Sequence, residues 1–467
     1  MNALKRMSDD NVVQLVSERP PLGLGTENLI DTEIANARRL ARRHGGDIRY
    51  TVEAGWLVWD GRRWCMDEKD LSIQALAKET ALAIFDEIKN APDRDRMMKH
   101  AKRSQDRRAV DNMVALARSE QGIPMSLTAC DADPWLLNLL NGTLDLRTGQ
   151  LNSHCREDLI TKLVPIQYEA GAKCDRWHKF LWRIMGGKEE LCGYLQRMVG
   201  YVLTGSTAEQ VLHFLYGLGA NGKSVFCEIV RALLGDYSVV CSPELIMLRR
   251  HGGIPNDVAR LRGSRVALMN ETAQGSKFNE AKLKDLTGSD ALNARYLHKE
   301  FFDFDPTHKL IIRGNHKPAI HGTDEGIWRR LRLVPFTVSI PKEEQDSQLL
   351  HKLRDELPGI LNWAVQGCLE WQQDGLKPPA VVTQAVDQYR EESDTLARFI
   401  DERCIRRNLA QVKSSEFFAH YKKFCEESGE RCITSKELPN EMQRRGFERK
   451  RTNTGAVFLG IEISREG

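Results

Sequence analysis

Several features that would assign a chain to a particular class are missing from these 467 residues. No apolar run approaches the roughly 20 residues that a membrane-spanning helix needs, and the polar start, residues 1–26, lacks the apolar stretch of a secretory signal. The eleven Cys include no C-x-x-C pair. Cys425 and Cys432 come closest, and the six residues between them match no common zinc site. These absences predict a cytoplasmic protein with reduced thiols and no membrane partner.

A strong charge of one sign is missing too, because 68 Lys and Arg are balanced by 65 Asp and Glu. Only local excesses remain, of +5 over residues 89–118 and +4 over residues 395–467. Such excesses concentrate polyanions by counterion release, but solvated helical faces often carry them as well. Charge alone therefore leaves the partner open.

The pattern of apolar and turn residues predicts six consecutive parts. They are a flexible lead (1–26), a mixed α+β domain (27–175), a helical segment (176–207), an α/β core (208–345), a helical lid and linker (346–394) and a compact C-terminal domain (395–467). Asp60-Gly61 predicts the turn of a hairpin over residues 55–64, and Gly367 to Pro379 predicts a linker. In the last domain, helices near 395–403, 414–427 and 435–445, a basic turn and a final strand at 457–461 suggest a winged helix.

The most specific signal is a complete G-x-x-x-x-G-K-S motif between an apolar strand and a helix-compatible stretch. Its glycines let backbone N–H groups surround phosphate oxygens at a helix N-terminus. Lys223 is expected to reach the β- and γ-phosphates of a nucleoside triphosphate, and the Ser224 hydroxyl to ligate Mg²⁺. The predicted binding residues are Gly217, Gly219, Ala220, Asn221, Gly222, Lys223, Ser224 and Val225.

Hydrolysis needs further groups, and later strands offer them. One strand ends at Glu271, whose carboxylate is expected to hold the metal or to orient the attacking water. Another ends at Asn315, expected to contact the γ-phosphate or the water. Arg329 and Arg330 follow, and either is a candidate arginine finger for a neighbouring subunit; the sequence does not choose between them.

Two strand-prone runs between residues 291 and 304 flank a charged centre and predict a hairpin with His298 and Lys299 near its tip. A Lys there is expected to grip DNA phosphates as a point charge. An exposed hairpin without a ligand is the alternative.

In this order, the motifs resemble a superfamily 3 helicase, and in particular the helicase half of phage and plasmid primase-helicases, a group related to the poxvirus replication protein. Gly-Asn-His-Lys-Pro from Gly314 and Trp-Arg-Arg-Leu from Trp328 contribute to the resemblance, which covers residues 130–345 well. It implies an α/β, AAA+-like P-loop NTPase core between a mixed α+β region and a C-terminal winged helix. It also implies ATP and Mg²⁺ as cofactors and a hexameric ring on single-stranded DNA, working with a primase or other replication proteins in a bacterial host cell.

Within this resemblance, Glu271 becomes the Walker B acid, Asn315 the sensor, and Lys299 with His298 the DNA-gripping hairpin tip. Two departures matter. Asn270 stands where many relatives carry a second acid, so Glu271 serves both tasks or Mg²⁺ depends mainly on Ser224 and water. The region before residue 130 is too short for most primase domains, so we expect no primase activity.

Three functions fit these observations. The first is a replicative helicase that unwinds forked DNA. The second is a nucleic-acid-stimulated ATPase that acts as a switch or defence protein without processive unwinding. The third is an origin-binding module whose winged helix reads duplex DNA, a role that is compatible with the first.

Overall fold

The computed structural model describes residues 30–248, 257–270, 277–295, 301–318, 320, 325–428, 432–453 and 455–464. Its first unit packs helices around a small antiparallel sheet. The elements are α1 (Glu33–His44), β1 (Ile48–Thr51), β2 (Gly55–Trp59), β3 (Trp64–Met66), α2 (Leu71–Glu87), α3 (Arg94–Arg103) and α4 (Arg107–Ala117). Thr32 starts α1 by accepting a hydrogen bond from the Ala35 N–H. Trp59 lies opposite Trp64 across the Asp60-Gly61 turn, which confirms the predicted hairpin.

A second antiparallel sheet and two helices lead into the centre of the molecule. They are β4 (Leu136–Leu139), β5 (Gly142–Asp145), β6 (Gln150–Asn152), α5 (Asp175–Ile184) and α6 (Glu189–Leu203). Leu137, Leu144 and Val164 are fully buried in one core together with Trp177 of α5 and with strands of the central sheet. Residues 136–166 therefore pack with the region that follows them, although they fall within the predicted 27–175 domain. The predicted domain limits themselves stay predictions.

A five-stranded parallel sheet forms the centre of the fold. Its region comprises β7 (Leu212–Tyr216), α7 (Lys223–Leu234), β8 (Ser238–Cys241), β9 (Val266–Met269), α8 (Glu280–Thr287), β10 (Leu292–Arg295), β11 (Phe301–Phe304), β12 (Lys309–Gly314), α9 (Glu325–Trp328) and β13 (Leu331–Pro335). The spatial order is β13-β7-β12-β9-β8. Numbered by appearance in the chain, these five strands stand in the order 5-1-4-3-2. The predicted α/β core is thus confirmed as a parallel sheet with helices.

Both faces of this sheet are covered, which explains the uninterrupted apolar runs of its strands. Leu215, Ile311 and Val334 face the core that contains α5, α6 and α7. The alternate residues Phe214 and Ile312 face a second core on the opposite side. Because parallel strands all end at one edge, the residues that follow β7, β9 and β12 meet there.

Of the two long helices after the sheet, one packs against α6 and the next packs beside β13. After α10 (Leu349–Arg354), α11 (Leu357–Asp374) crosses α6 where both carry glycine, and α12 (Ala380–Ser393) follows. A Cβ on Gly200 would lie 2.1 Å from the backbone N of Cys368, and one on Gly367 would lie 2.2 Å from the backbone O of Gln196. The predicted linker from Gly367 to Pro379 is therefore wrong over most of its length. Gly367 serves close helix packing inside α11, and only residues 375–379 lie between the two helices.

The C-terminal unit, residues 395–464, combines three helices and an antiparallel sheet. Its elements are α13 (Thr395–Arg403), β14 (Cys404–Lys413), α14 (Ser414–Glu427), α15 (Leu438–Arg444), β15 (Arg449–Thr452) and β16 (Gly455–Ile463). The sheet order is β14-β16-β15, and Phe399, Phe417 and Phe458 are buried at its centre. The predicted helices and final strand are confirmed. β14 was not predicted, because most of its residues are exposed and no alternation marks it.

Candidate functional site

The loop between β7 and α7 follows the carboxyl end of a central strand. Gly217 has φ +152°, and a Cβ there would lie 2.1 Å from the Phe336 carbonyl oxygen. Gly222 has φ +83°, and a Cβ there would lie 2.6 Å from Cγ2 of Ile184. Both positions therefore require glycine, for the backbone conformation and for the close approach of neighbours. Ala220 also adopts a positive φ, of 55°.

The loop is fastened to the segment after β13. The Phe336 N–H donates to the Tyr216 carbonyl at 2.8 Å, and the Ile340 N–H donates to the Ala220 carbonyl at 2.8 Å. The buried Asn221 side chain donates to the carbonyls of Phe336, at 3.0 Å, and of Leu218. Asn221 therefore shapes the loop from inside, whereas Gly219 has open space around it.

Lys223 is the first residue of α7, and its side chain is only 6% exposed. Its Nζ donates to the Gly217 carbonyl at 2.5 Å and approaches Oδ1 of Asn315 at 3.4 Å. The structure thus brings together two predicted residues that are far apart in the sequence. Ser224 follows on the same helical turn and is exposed, and Val225 is half-buried.

A third polar contact, which the sequence interpretation missed, lies at this edge. Arg313 of β12 donates through Nε to Oδ1 of Asn270 at 2.9 Å, just beyond the end of β9. Arg313 precedes Asn315 by two residues, so both face the α7 side of the sheet. Burial raises the pKa of the α7 thiol of Cys227 to about 12, and the charges of Arg313 and Lys223 act against that rise. Strand alternation before Asn315 is the signal that could have identified Arg313.

Three predicted site residues lie outside the described residues: Glu271, His298 and Lys299. The described neighbours fix where their strands lead. Met269 ends β9 in register with Ile312 of β12, so the chain leaves toward Glu271 at the same edge as the glycine-rich loop. The predicted hairpin is confirmed as β10 and β11, with Arg295 opposite Phe301.

Arg329 and Arg330, the two candidates for the arginine finger, lie at the end of the sheet opposite to the glycine-rich loop. Leu331 pairs with Leu212 at the start of β7, whereas Pro335 pairs with Tyr216 beside the glycine-rich loop. Arg329 and Arg330 therefore stand about 15 Å or more from the loop of their own protomer, one strand length away. Arg329 is exposed, and Arg330 donates to the Gly326 carbonyl at 2.8 Å.

These residues fit a triphosphate but form no closed metal cage. Glycine-rich backbone at a helix N-terminus, a Lys ammonium and an Asn amide are suited to phosphate oxygens. Among the described residues, no group of three or more His, Cys, Asp or Glu is placed to hold a metal ion.

Two family models match the chain. The one described as D5 N terminal like matches residues 37–186. The other, described as a family of unknown function (DUF5906), matches residues 215–330 and so contains every site residue predicted here.

Viral proteins are similar to the chain. A protein of Acanthamoeba polyphaga mimivirus named as a candidate helicase is 26% identical over 348 residues, which cover 69% of this chain and 36% of that protein. A candidate helicase of Frog virus 3 is 29% identical over 230 residues, covering 45% of this chain and 24% of that protein. A candidate primase of African swine fever virus is 25% identical over 311 residues, covering 60% and 32%. The chain thus matches about a quarter to a third of the length of these relatives.

Solved structures share the fold. Two apo structures of the C-terminal region of NrS-1 give TM-scores of 0.51 and 0.50 at 9% and 8% identity, and each covers 92% of this chain and at least 99% of its own. At such low identity the likeness concerns the fold alone.

None of the described helices is long and apolar enough to cross a membrane.

Proposed function

We propose that this chain, a member of the D5-like primase-helicase family, is an ATP-driven DNA helicase that travels along single-stranded DNA as a ring. The similarity to viral proteins named as helicases or primases supports a role in replication. The finer assignment, to superfamily 3 with an AAA+-like core and a C-terminal winged helix, is part of the proposal. The use of ATP and Mg²⁺ and the assembly into a hexamer are also part of the proposal.

The observation that carries the proposal is the contact of Lys223 with Asn315. A buried ammonium at the start of α7 lies 3.4 Å from an amide that ends a neighbouring parallel strand. In this arrangement, Lys223 would neutralise the β- and γ-phosphates of ATP, and Asn315 would orient the γ-phosphate or the attacking water. Mg²⁺, when bound beside Ser224, supplies charge neutralisation at the phosphates. Glu271 is proposed to activate or position the water.

The position of the arginines supports a ring. Arg329 and Arg330 lie at the edge of the sheet opposite to their own glycine-rich loop, too far away to touch the same nucleotide. In a ring, head-to-tail packing brings that edge to the loop of the next protomer. An arginine donated across this interface would stabilise the charge that develops during phosphoryl transfer.

The hairpin supplies the proposed coupling to DNA. β10 and β11 precede β12, the strand that carries Arg313 and leads to Asn315. The hairpin joins the start of β12, one strand length from Asn315, so a displacement of Asn315 would reach the base of the hairpin along β12. We propose that His298 and Lys299 at its tip hold the phosphates of single-stranded DNA in the channel.

Strand displacement on forked DNA tests the proposal. The wild-type chain should separate the strands with ATP and Mg²⁺ but not with a non-hydrolysable analogue. The Lys223→Ala variant should neither separate the strands nor hydrolyse ATP. Mass measurement with the analogue should give a multiple of the protomer mass. ATP turnover without displacement would instead support the switch or defence role, and failure to bind nucleotide would refute both.

A further inference from the structure

Most cations of the C-terminal unit are already neutralised by carboxylates. Eight Lys or Arg side chains lie within 4 Å of an Asp or Glu oxygen, several of them between successive helical turns. The pairs are Arg398–Glu402, Arg403–Glu427, Arg406–Asp401, Arg407–Glu462, Lys422–Glu426, Lys423–Glu427, Arg444–Glu441 and Arg445–Asp394. These side chains contribute little net field to the surface.

The strand β15 is different. Its three consecutive cations, Arg449, Lys450 and Arg451, are all exposed. None of them forms a salt bridge or a side-chain hydrogen bond with the described part of the chain. β15 is also an edge strand that pairs only with β16, so nothing described covers its outer side. Three of the cations behind the local excess of positive charge thus stand side by side on one strand.

The side chains around β15 indicate whether this strand is suited to single-stranded or to duplex nucleic acid. Proteins that hold single strands without sequence preference stack bases on exposed aromatic rings. In the described part of the C-terminal unit, every Phe and Tyr is buried or half-buried. Without an exposed ring, the three cations are suited to the phosphate backbone, which carries its highest charge density in a duplex.

We propose that β15 forms a duplex DNA-binding surface, in which Arg449, Lys450 and Arg451 contact phosphates without reading the sequence. The inference deepens the proposed helicase function, since it gives the chain a grip on the duplex separate from the channel. Sequence-specific reading by α15 is not required.

Two triple variants of the full chain test this proposal, each of which removes three positive charges from the same unit. Arg449→Gln/Lys450→Gln/Arg451→Gln removes the three cations of β15. Arg403→Gln/Lys422→Gln/Lys423→Gln removes three that are paired with Glu426 and Glu427. Affinity for a blunt 25-bp duplex without any channel-loading single strand is measured by anisotropy between about 50 and 200 mM salt, the range over which phosphate contacts are lost.

The β15 variant should lower the slope of log affinity against log salt by about 2 to 3, since each lost phosphate contact contributes about 0.9. The control variant should change the slope by less than about 1. Equal losses in both variants, or an unchanged slope in the β15 variant, would overturn the proposal, as would a loss confined to single-stranded oligonucleotides. Measuring ATPase activity without DNA separates the proposed helicase function from the proposed duplex-binding surface. If the wild-type chain had no ATPase activity, the helicase function would be refuted and the result on duplex binding would still hold.

Discussion

The Nε of Arg313 donates a hydrogen bond to Oδ1 of Asn270 at 2.9 Å, and this bond joins the ends of two adjacent parallel strands. A guanidinium only donates hydrogen bonds, so the amide oxygen of Asn270 must face it and is not directed at a metal ion. At the position where the resemblance to superfamily 3 helicases implies a second acid, this chain thus has an amide held by a cation. In the proposed function, Glu271 would then serve both tasks, or Mg²⁺ would depend mainly on Ser224 and water.

Arg313→Gln is expected to slow ATP turnover by about tenfold or more while changing nucleotide affinity little, because a small misplacement of a positioned group mainly affects the chemical step. Arg313 is expected to position Glu271 because it is hydrogen-bonded to Asn270, the residue that precedes Glu271 after β9. Steady-state kcat and KM, together with direct titration of a fluorescent ATP analogue, provide the measurement. Arg231→Gln, which removes an exposed Arg paired with Glu228 on α7, is the matched control. A parallel loss of affinity and turnover would mean that Arg313 contacts the nucleotide itself.

Glu271→Gln should preserve nucleotide binding and slow hydrolysis by about a hundredfold, the usual scale for loss of a general base or water-orienting group. Single-turnover hydrolysis with excess protein measures this step without product release. If turnover stayed near the wild-type rate, the assignment of Glu271 as the catalytic acid would be wrong.

Arg329→Ala should reduce ATPase activity more than Arg330→Ala, because Arg329 is exposed and Arg330 is bonded to the Gly326 carbonyl of its own helix. Mixing Arg329→Ala subunits with Lys223→Ala subunits should restore part of the activity, since some interfaces then combine an intact loop with an intact arginine. ATPase assays across mixing ratios measure the effect. No recovery at any ratio would argue against a site shared between protomers.

Lys299→Ala should leave ATPase activity without DNA within about twofold of wild type and greatly reduce unwinding, because the substitution removes a point charge proposed to hold DNA phosphate and no group proposed to act on ATP. Strand displacement and DNA-free ATPase assays are run on the same preparation. Lys78→Ala, on the exposed side of α2, controls for loss of charge. Unwinding retained by Lys299→Ala would exclude the hairpin tip as the grip.

Acid should destabilise the sheet through His213, a fully buried residue of β7 whose ring nitrogens find no hydrogen-bond partner among the described residues. Burial lowers the pKa of His213 to about 3, whereas an unfolded His titrates near about 6.5. Between these values the unfolded chain binds a proton that the folded chain does not. The stability is therefore complete above about pH 6.5 and falls as the pH decreases, by up to about 1.4 kcal/mol per pH unit.

Urea unfolding at pH 7.5 and pH 5.5 measures this loss. His213→Leu should lose about 1 kcal/mol less than wild type between the two values, as the linkage predicts. His420→Gln, which replaces an exposed ring in the C-terminal unit, should behave as wild type. An identical pH dependence in all three proteins would refute the role of His213.

The sequence predicted those parts of the site that lie within one segment. The loop from Gly217 to Ser224 and the strands ending near Asn270 and Asn315 each carry their own local signal. The approach of Asn315 to Lys223 also followed, because parallel strands end at a common edge. The bond between Arg313 and Asn270 did not, since it depends on the register of β12 against β9.

The remaining failures have the same cause. Gly367 resembled a linker residue because nothing local reveals that α6 passes against it at Gln196 and Gly200. The position of Arg329 at the end of the sheet opposite to the glycine-rich loop could not be predicted from the sequence either, since it depends on the pairing of β13 with β7. Contacts between distant segments decide these features, and a single sequence does not display them.

The paired glycines of α6 and α11 have a mechanical consequence. With almost no side-chain atoms between Gly200 and Gly367, the two helices cannot slide or roll past each other without a collision of backbones. At the junction of α5 and α6, Ile184 lies against Gly222 of the glycine-rich loop. A shift that begins in the loop would therefore be passed through α5 and α6 to α11, and from α11 along the chain through α12 to the C-terminal unit.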